Sequence, residues 1–337
     1  MSPGPSADDT ARVSGRGITP ATTALVAGGA LAAVLVALLG ASLAARGTGE
    51  LRIPGAGATT VLRAAVFAAL AVHLGELAGG RLARTTPAPA SGPARTGPAP
   101  APASGAPGPR RWAVAASLVG AGASAGQILL LARVSGLDLA TVYGTSDGRF
   151  LLVMANGFLL AAGCATLTRP CLALAPLAAV IGAEALRAHP EPYTPMLGVG
   201  LTVVHLTAAS LWTGGLLYVL RALWLRRGDP AGSRELLARY ARHAGRLLAA
   251  LAATGTLSTL RRLPADVVLT TAYGRVLIAK LVLVAVVCAL ALAARVRLRR
   301  GGDAVRPARA ELGVLAVVVL VSAVLTVVPD PHWLSTR

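Results

Sequence analysis

Apolar residues fall in unbroken runs of about twenty, separated by short segments that carry arginine. About twenty residues is the length a helix needs to cross a bilayer, so each run predicts a transmembrane helix. Nine are expected: Thr22 to Ala45, Val61 to Ala78, Trp112 to Ala132, Phe150 to Leu167, Cys171 to Leu186, Met196 to Leu220, Arg246 to Leu260, Ala272 to Ala294 and Leu312 to Val328. The second is interrupted by Arg63, His73 and Glu76, and the seventh has only the short stretch LLAALAATGTLSTL. The first run exceeds the 7–15 apolar residues of a secretory signal, and is expected to stay as an anchor. The fold class that follows is all-α, a polytopic transmembrane helix bundle.

Composition agrees. Only 14% of residues are charged against 55% apolar, too few charges for an ordinary soluble domain. A net charge of +18 would suggest nucleic acid if the cations shared one surface, but they sit between the apolar runs, so membrane topology explains them instead. With the N-terminus inside, 21 arginines lie on the inner side and ten at or near the outer side, which predicts N-in and C-out. Residues 81–111 are rich in Pro, Ala and Gly and are expected to form a disordered cytoplasmic linker. The chain then divides into a cytoplasmic tail (1–21), a two-span unit (22–80), the linker, and a seven-span unit (112–337) in the cytoplasmic, inner membrane.

Titratable side chains inside hydrocarbon are costly, so each needs a reason. They are His73 and Glu76 in the second span, Glu184 in the fifth, His205 in the sixth and Lys280 in the eighth. At 1.5 Å per residue, Glu184, His205 and Lys280 fall in the outer half and the His73/Glu76 pair in the inner half. Glu184 and Lys280, at similar depth, are expected to form an ion pair, or Lys280 to snorkel outward. His73 and Glu76, three residues apart on one helix face, can glue helices, relay protons or hold a metal. His205 needs a hydrogen-bond partner or a ligand, and Trp212 lies on its face at helical spacing.

The outer side adds His189 and Met196 around the loop before the sixth span, Met154 near the outer end of the fourth, and His332 after the last. Thioether and imidazole suit cuprous ion, although the same residues can be ordinary loop and interface positions. Cys164, Cys171 and Cys288 read as packing residues. No phosphate loop, nucleophile triad, CxxC, CxxCH or zinc-protease motif occurs, so no enzymatic activity is expected. Two intramembrane histidines are also the minimum for bis-His haem, which makes an electron carrier the alternative; a structural subunit is a third reading.

Three motifs in order resemble the copper resistance D (CopD) family of bacterial membrane proteins, over about residues 150–330. VVHLTAASLWTGGLL carries a histidine, seven residues on a tryptophan, then two glycines: His205, Trp212, Gly214 and Gly215. ARYARHAGRLLAALAATG is similar to the family's helix start through Arg239, Tyr240, Arg242 and Gly255. AYGRVLIAKLVLV is similar through Tyr273, Gly274, Leu277 and Lys280. The resemblance implies movement of a copper ion, usually import, from an extracytoplasmic carrier of the CopC type. His205 becomes the expected copper site and Lys280 an architectural residue. Relatives often carry a Gly-His pair one helix earlier, where this chain has Gly182 followed by Ala183; His189 is the residue that could take its place.

Overall fold

The computed structural model describes residues 20–50, 53–84, 112–167, 169–188, 194–226, 229–263 and 265–329; side chains of residues 20–30, 262 and 265 are outside the description. Among these the chain is helical throughout, with no strand. The helices are α1 (Pro20–Ala44), α2 (Ala56–Arg84), α3 (Ala113–Ser135), a short α4 (Leu139–Gly144), α5 (Ser146–Thr166), α6 (Leu174–Ala188), α7 (Pro195–Leu225), α8 (Pro230–Arg262), α9 (Ala272–Arg299) and α10 (Val305–Leu325). Their boundaries have local causes. The side chains of Asp138, Thr145, Asp229 and Thr271 each accept a bond from a backbone N–H in the first turn of α4, α5, α8 and α9, satisfying a donor with no partner inside the helix. Gly136 ends α3 at φ 67°, a conformation glycine adopts without a Cβ penalty.

Seven helices among the described residues are long and apolar enough to cross a membrane: α2, α3, α5, α6 with the 3₁₀ turn before it, α7, α9 and α10. The other two expected spans, in α1 and α8, are not among these seven. The apolar part of α1 covers only Leu31–Ala44 within the described side chains. The seventh span was expected from Arg246, but α8 begins at Pro230, and its first half carries Arg234, Arg239, Arg242 and Arg246. Asp229 caps it there and Pro230 starts it with a pre-set φ, so the helix extends past the apolar stretch.

Successive long helices alternate in direction, which gathers the ends of α2, α7 and α9 and the starts of α8 and α10 at one arginine-rich end. The N-terminal unit does not stand apart from the rest. Helix α2 lies in the middle, packed on α1, α3, α7 and α10. It runs parallel to α7 at very close range: a Cβ on Gly75 would fall 2.1 Å from the Gly214 carbonyl carbon, and one on Gly79 2.3 Å from the Tyr218 ring. Ala71, Gly75 and Gly79, four residues apart, form the small-residue stripe that allows two backbones to touch in a membrane. Buried apolar residues gather in one cluster between α2, α3, α5 and α6, a second between α7, α8, α9 and α10, and a third around α1 and the adjoining ends of α9 and α10.

Candidate functional site

Seven residues are just short of two helical turns, so His205 and Trp212 stand on one face of α7, about 10 Å apart along its axis. That face meets α8. His205 Nδ1 lies 2.9 Å from Thr254 Oγ1, and the Thr254 hydroxyl donates its one proton to the Ala250 carbonyl at 2.7 Å. With that proton spent, Thr254 can only accept, so neutral His205 donates from Nδ1 and keeps its lone pair on Nε2. This is how an imidazole is oriented when Nε2 serves as a metal ligand or proton acceptor. Among the described residues no partner to Nε2 occurs. Gly255 borders the ring; a methyl there would sit 3.7 Å from Cε1, in ordinary contact, so the glycine leaves space without being forced by collision. Lys280 on α9 is close enough for its charge to act on His205.

Two turns along α7 a second polar layer forms. Trp212 Nε1 donates to Glu311 Oε1 at 3.1 Å, and the Tyr240 hydroxyl donates to the Trp212 carbonyl at 2.8 Å. The paired glycines divide their work: Gly214 faces the Ala71 carbonyl on α2, while a Cβ on Gly215 would come 3.1 Å from the Tyr240 ring. Trp212, Tyr240 and Glu311, with Cys288 and Arg295 from α9, line a cavity of about 180 Å³. Sequence reasoning missed Glu311 because the ninth span was begun at Leu312, whereas α10 starts at Val305 and buries the carboxylate. The available signal was an acidic residue immediately before an unbroken apolar run.

The third motif is a helix start. Thr271 Oγ1 accepts from the Gly274 N–H at 3.2 Å, and a Cβ on Gly274 would fall 1.8 Å from the Val268 carbonyl, so the turn before α9 closes only over a glycine. Tyr273 and Leu277 are buried beside it, and Lys280 follows seven residues after Tyr273. Arg242 is exposed on α8.

The remaining expected ligands do not gather around His205. His73 is fully buried, with Nδ1 2.6 Å from Ser117 Oγ on α3 and no hydrogen-bond partner for Nε2. Its expected companion Glu76 is used elsewhere. One carboxylate oxygen accepts from the Trp112 N–H at 2.7 Å and pairs with Arg221 at 2.8 Å, and the other accepts from the Ala113 N–H at 3.0 Å. An anion at a helix start is favourable, so Glu76 caps α3 and ties it to α7, with the Arg221 guanidinium 3.6 Å over the Trp112 ring. Met154 is fully buried in the apolar cluster with Leu151 and Phe158, away from the surface where a ligand was expected. Met196 is 79% exposed at the start of α7. His189 and His332 lie outside the described residues. Among the described residues no three His, Cys, Asp or Glu side chains come together as a metal cluster.

Glu184 does not pair with Lys280. It lies 3.0 Å from Arg187 and 3.9 Å from Arg63, and Arg63 also donates to the Thr326 carbonyl at 2.8 Å. Equal depth made the pairing plausible, but α6 packs on α5 and α7 while α9 packs on α10. The two histidines bond to different neighbours, His73 to Ser117 on α3 and His205 to Thr254 on α8.

No curated protein and no solved structure matches the chain significantly. Residues 234–327 match the model of a family described as Copper resistance protein D, CopD. That stretch covers α8, α9 and α10, hence Tyr240, Thr254, Lys280 and Glu311, the partners that enclose His205 and Trp212. Residues 234–327 are thus a CopD-type region, and the chain is similar to that family over this stretch.

Proposed function

We propose that this protein moves copper across the cytoplasmic membrane, with its arginine-rich end in the cytoplasm and import as the direction. The observation that carries the reading is His205: a membrane-depth imidazole, held through Nδ1 by Thr254 of the CopD-matching region, with its Nε2 lone pair unspent. A neutral imidazole suits cuprous ion, and a hydrogen bond on its other nitrogen fixes its orientation for ligation. Exposed Met196, at the same end of α7 as the His189 loop, is the first ligand for copper delivered by a CopC-like carrier. Lys280 keeps an architectural role near the histidine.

The test is copper accumulation in cells that express the protein at matched levels. His205→Ala should still insert, because alanine favours helix, and should lose accumulation. His205→Met keeps a cuprous ligand but cannot relay a proton, so retained accumulation favours direct ligation. Accumulation by His205→Ala equal to the parent refutes the site.

A further inference from the structure

The polar layer around Trp212 holds a group that copper ligation by His205 leaves unused. Glu311 is only 4% exposed, and its one observed hydrogen bond comes from Trp212 Nε1. Among the described residues no cation forms an ion pair with it. Arg295 lines the same cavity, but its guanidinium donates to the Ala241 carbonyl on α8 at 2.5 Å. The other titratable groups facing the carboxylate are Cys288 from α9 and Tyr240 from α8, whose hydroxyl is committed to the Trp212 carbonyl; α7 offers only Trp212. Arg306 and Arg309, on α10 itself, are exposed.

A buried carboxylate with one neutral donor and no counter-cation is costly as an anion, and taking up a proton removes the charge. The surroundings allow a proton to arrive. The cavity, at about 180 Å³, has room for several water molecules, and its wall of carboxylate, hydroxyl, thiol and guanidinium groups offers them partners. Glu311 follows the start of α10 at Val305 by six residues, about 9 Å of helix from the arginine-rich end. Its donor Trp212 stands on the same rigid helix as His205, so a change in the Glu311–Trp212 bond acts on the helix that carries the candidate copper ligand.

We propose that Glu311 is a proton-binding site, that the cavity between α7, α8, α9 and α10 connects it to water at the arginine-rich end, and that its proton drives the movement of copper. The last part rests on the transport reading above; the proton site does not. In the ionised state Glu311 accepts from Trp212, and in the protonated state its hydroxyl donates into the cavity.

Trp212 makes the site observable without transport. Purified full-length protein in lipid nanodiscs should show a pH-dependent change in tryptophan fluorescence that is absent in both Glu311→Gln and Trp212→Phe and present in Glu311→Asp, which keeps a carboxyl group. A fluorescence transition that survives Glu311→Gln, or no transition in the parent, overturns the proton site. In proteoliposomes, Glu311→Gln should still exchange radiolabelled copper at equal concentrations but lose accumulation driven by an imposed pH gradient. Gradient-driven accumulation by Glu311→Gln at the parent level overturns the coupling. A parent that titrates normally yet carries no copper under any gradient refutes the transport reading and leaves the proton site standing.

Discussion

Gly214 and Gly215 are adjacent, belong to the same motif and are both buried, yet adding a methyl group to each should have opposite consequences. A Cβ on Gly214 would lie 1.6 Å from the Ala71 carbonyl oxygen and 3.0 Å from Gly75 Cα, all backbone atoms in a central helix. A carbon and a carbonyl oxygen approach to about 3.3 Å, so α2 and α7 would have to part by roughly 1.7 Å. A gap of even 0.5–1 Å forfeits about a quarter to a half of each dispersion contact, and here the whole Ala71–Gly75–Gly79 stripe would open. Overpacking of this kind costs about 1–3 kcal/mol or more, against a helix-propensity gain for Gly→Ala of about 1 kcal/mol. The Gly215 methyl would meet the Tyr240 ring at 3.1 Å, and a ring can yield by a few tenths of an ångström. Its cost should be nearly cancelled by the same propensity gain. Unfolding of purified protein by SDS in mixed micelles, followed by circular dichroism, should therefore show Gly214→Ala clearly destabilised and Gly215→Ala within about 0.5 kcal/mol of the parent. Equal losses, or a larger loss for Gly215→Ala, would refute the assignment of the two glycines to different neighbours.

Two further outcomes follow from the ion pairs and the arginine distribution. In a double-mutant cycle, Glu184→Gln with Arg187→Gln should show coupling of about 1–3 kcal/mol, whereas Glu184→Gln with Lys280→Gln should be additive; coupling only in the second cycle would place α6 against α9. A reporter active only in the cytoplasm should work when fused after Arg300 and fail when fused after Pro329, and the reverse pattern would invert the proposed orientation.

Much of this was legible in the sequence because it depends on one dimension. Run length identified the apolar helices, and arginine counts separated the two ends. Spacing put His205 and Trp212 on one face of α7, since a seven-residue repeat holds its azimuth in any helix. What the chain alone could not decide was which neighbour each face meets. In a soluble protein the apolar face marks the interior; in a membrane the lipid-facing surface is just as apolar. Ile278, Leu281 and Val282 of α9 are exposed, and Leu151 and Phe158 of α5 are buried, without any difference in character. Position along a helix follows from counting residues, but rotation about its axis does not. That is why Glu184 was matched with Lys280 when its partners are Arg187 and Arg63, and why the cap that Glu76 places on α3 and its pair with Arg221 could not be foreseen. It is also why Glu311, at the edge of an apolar run, became visible only when α10 was found to begin at Val305 and turn the carboxylate onto Trp212. Residue order is enough to recognise the apolar helices and the arginine-rich segments between them; which residue faces which follows from packing, because only packing fixes the rotation of a helix that is apolar on every side.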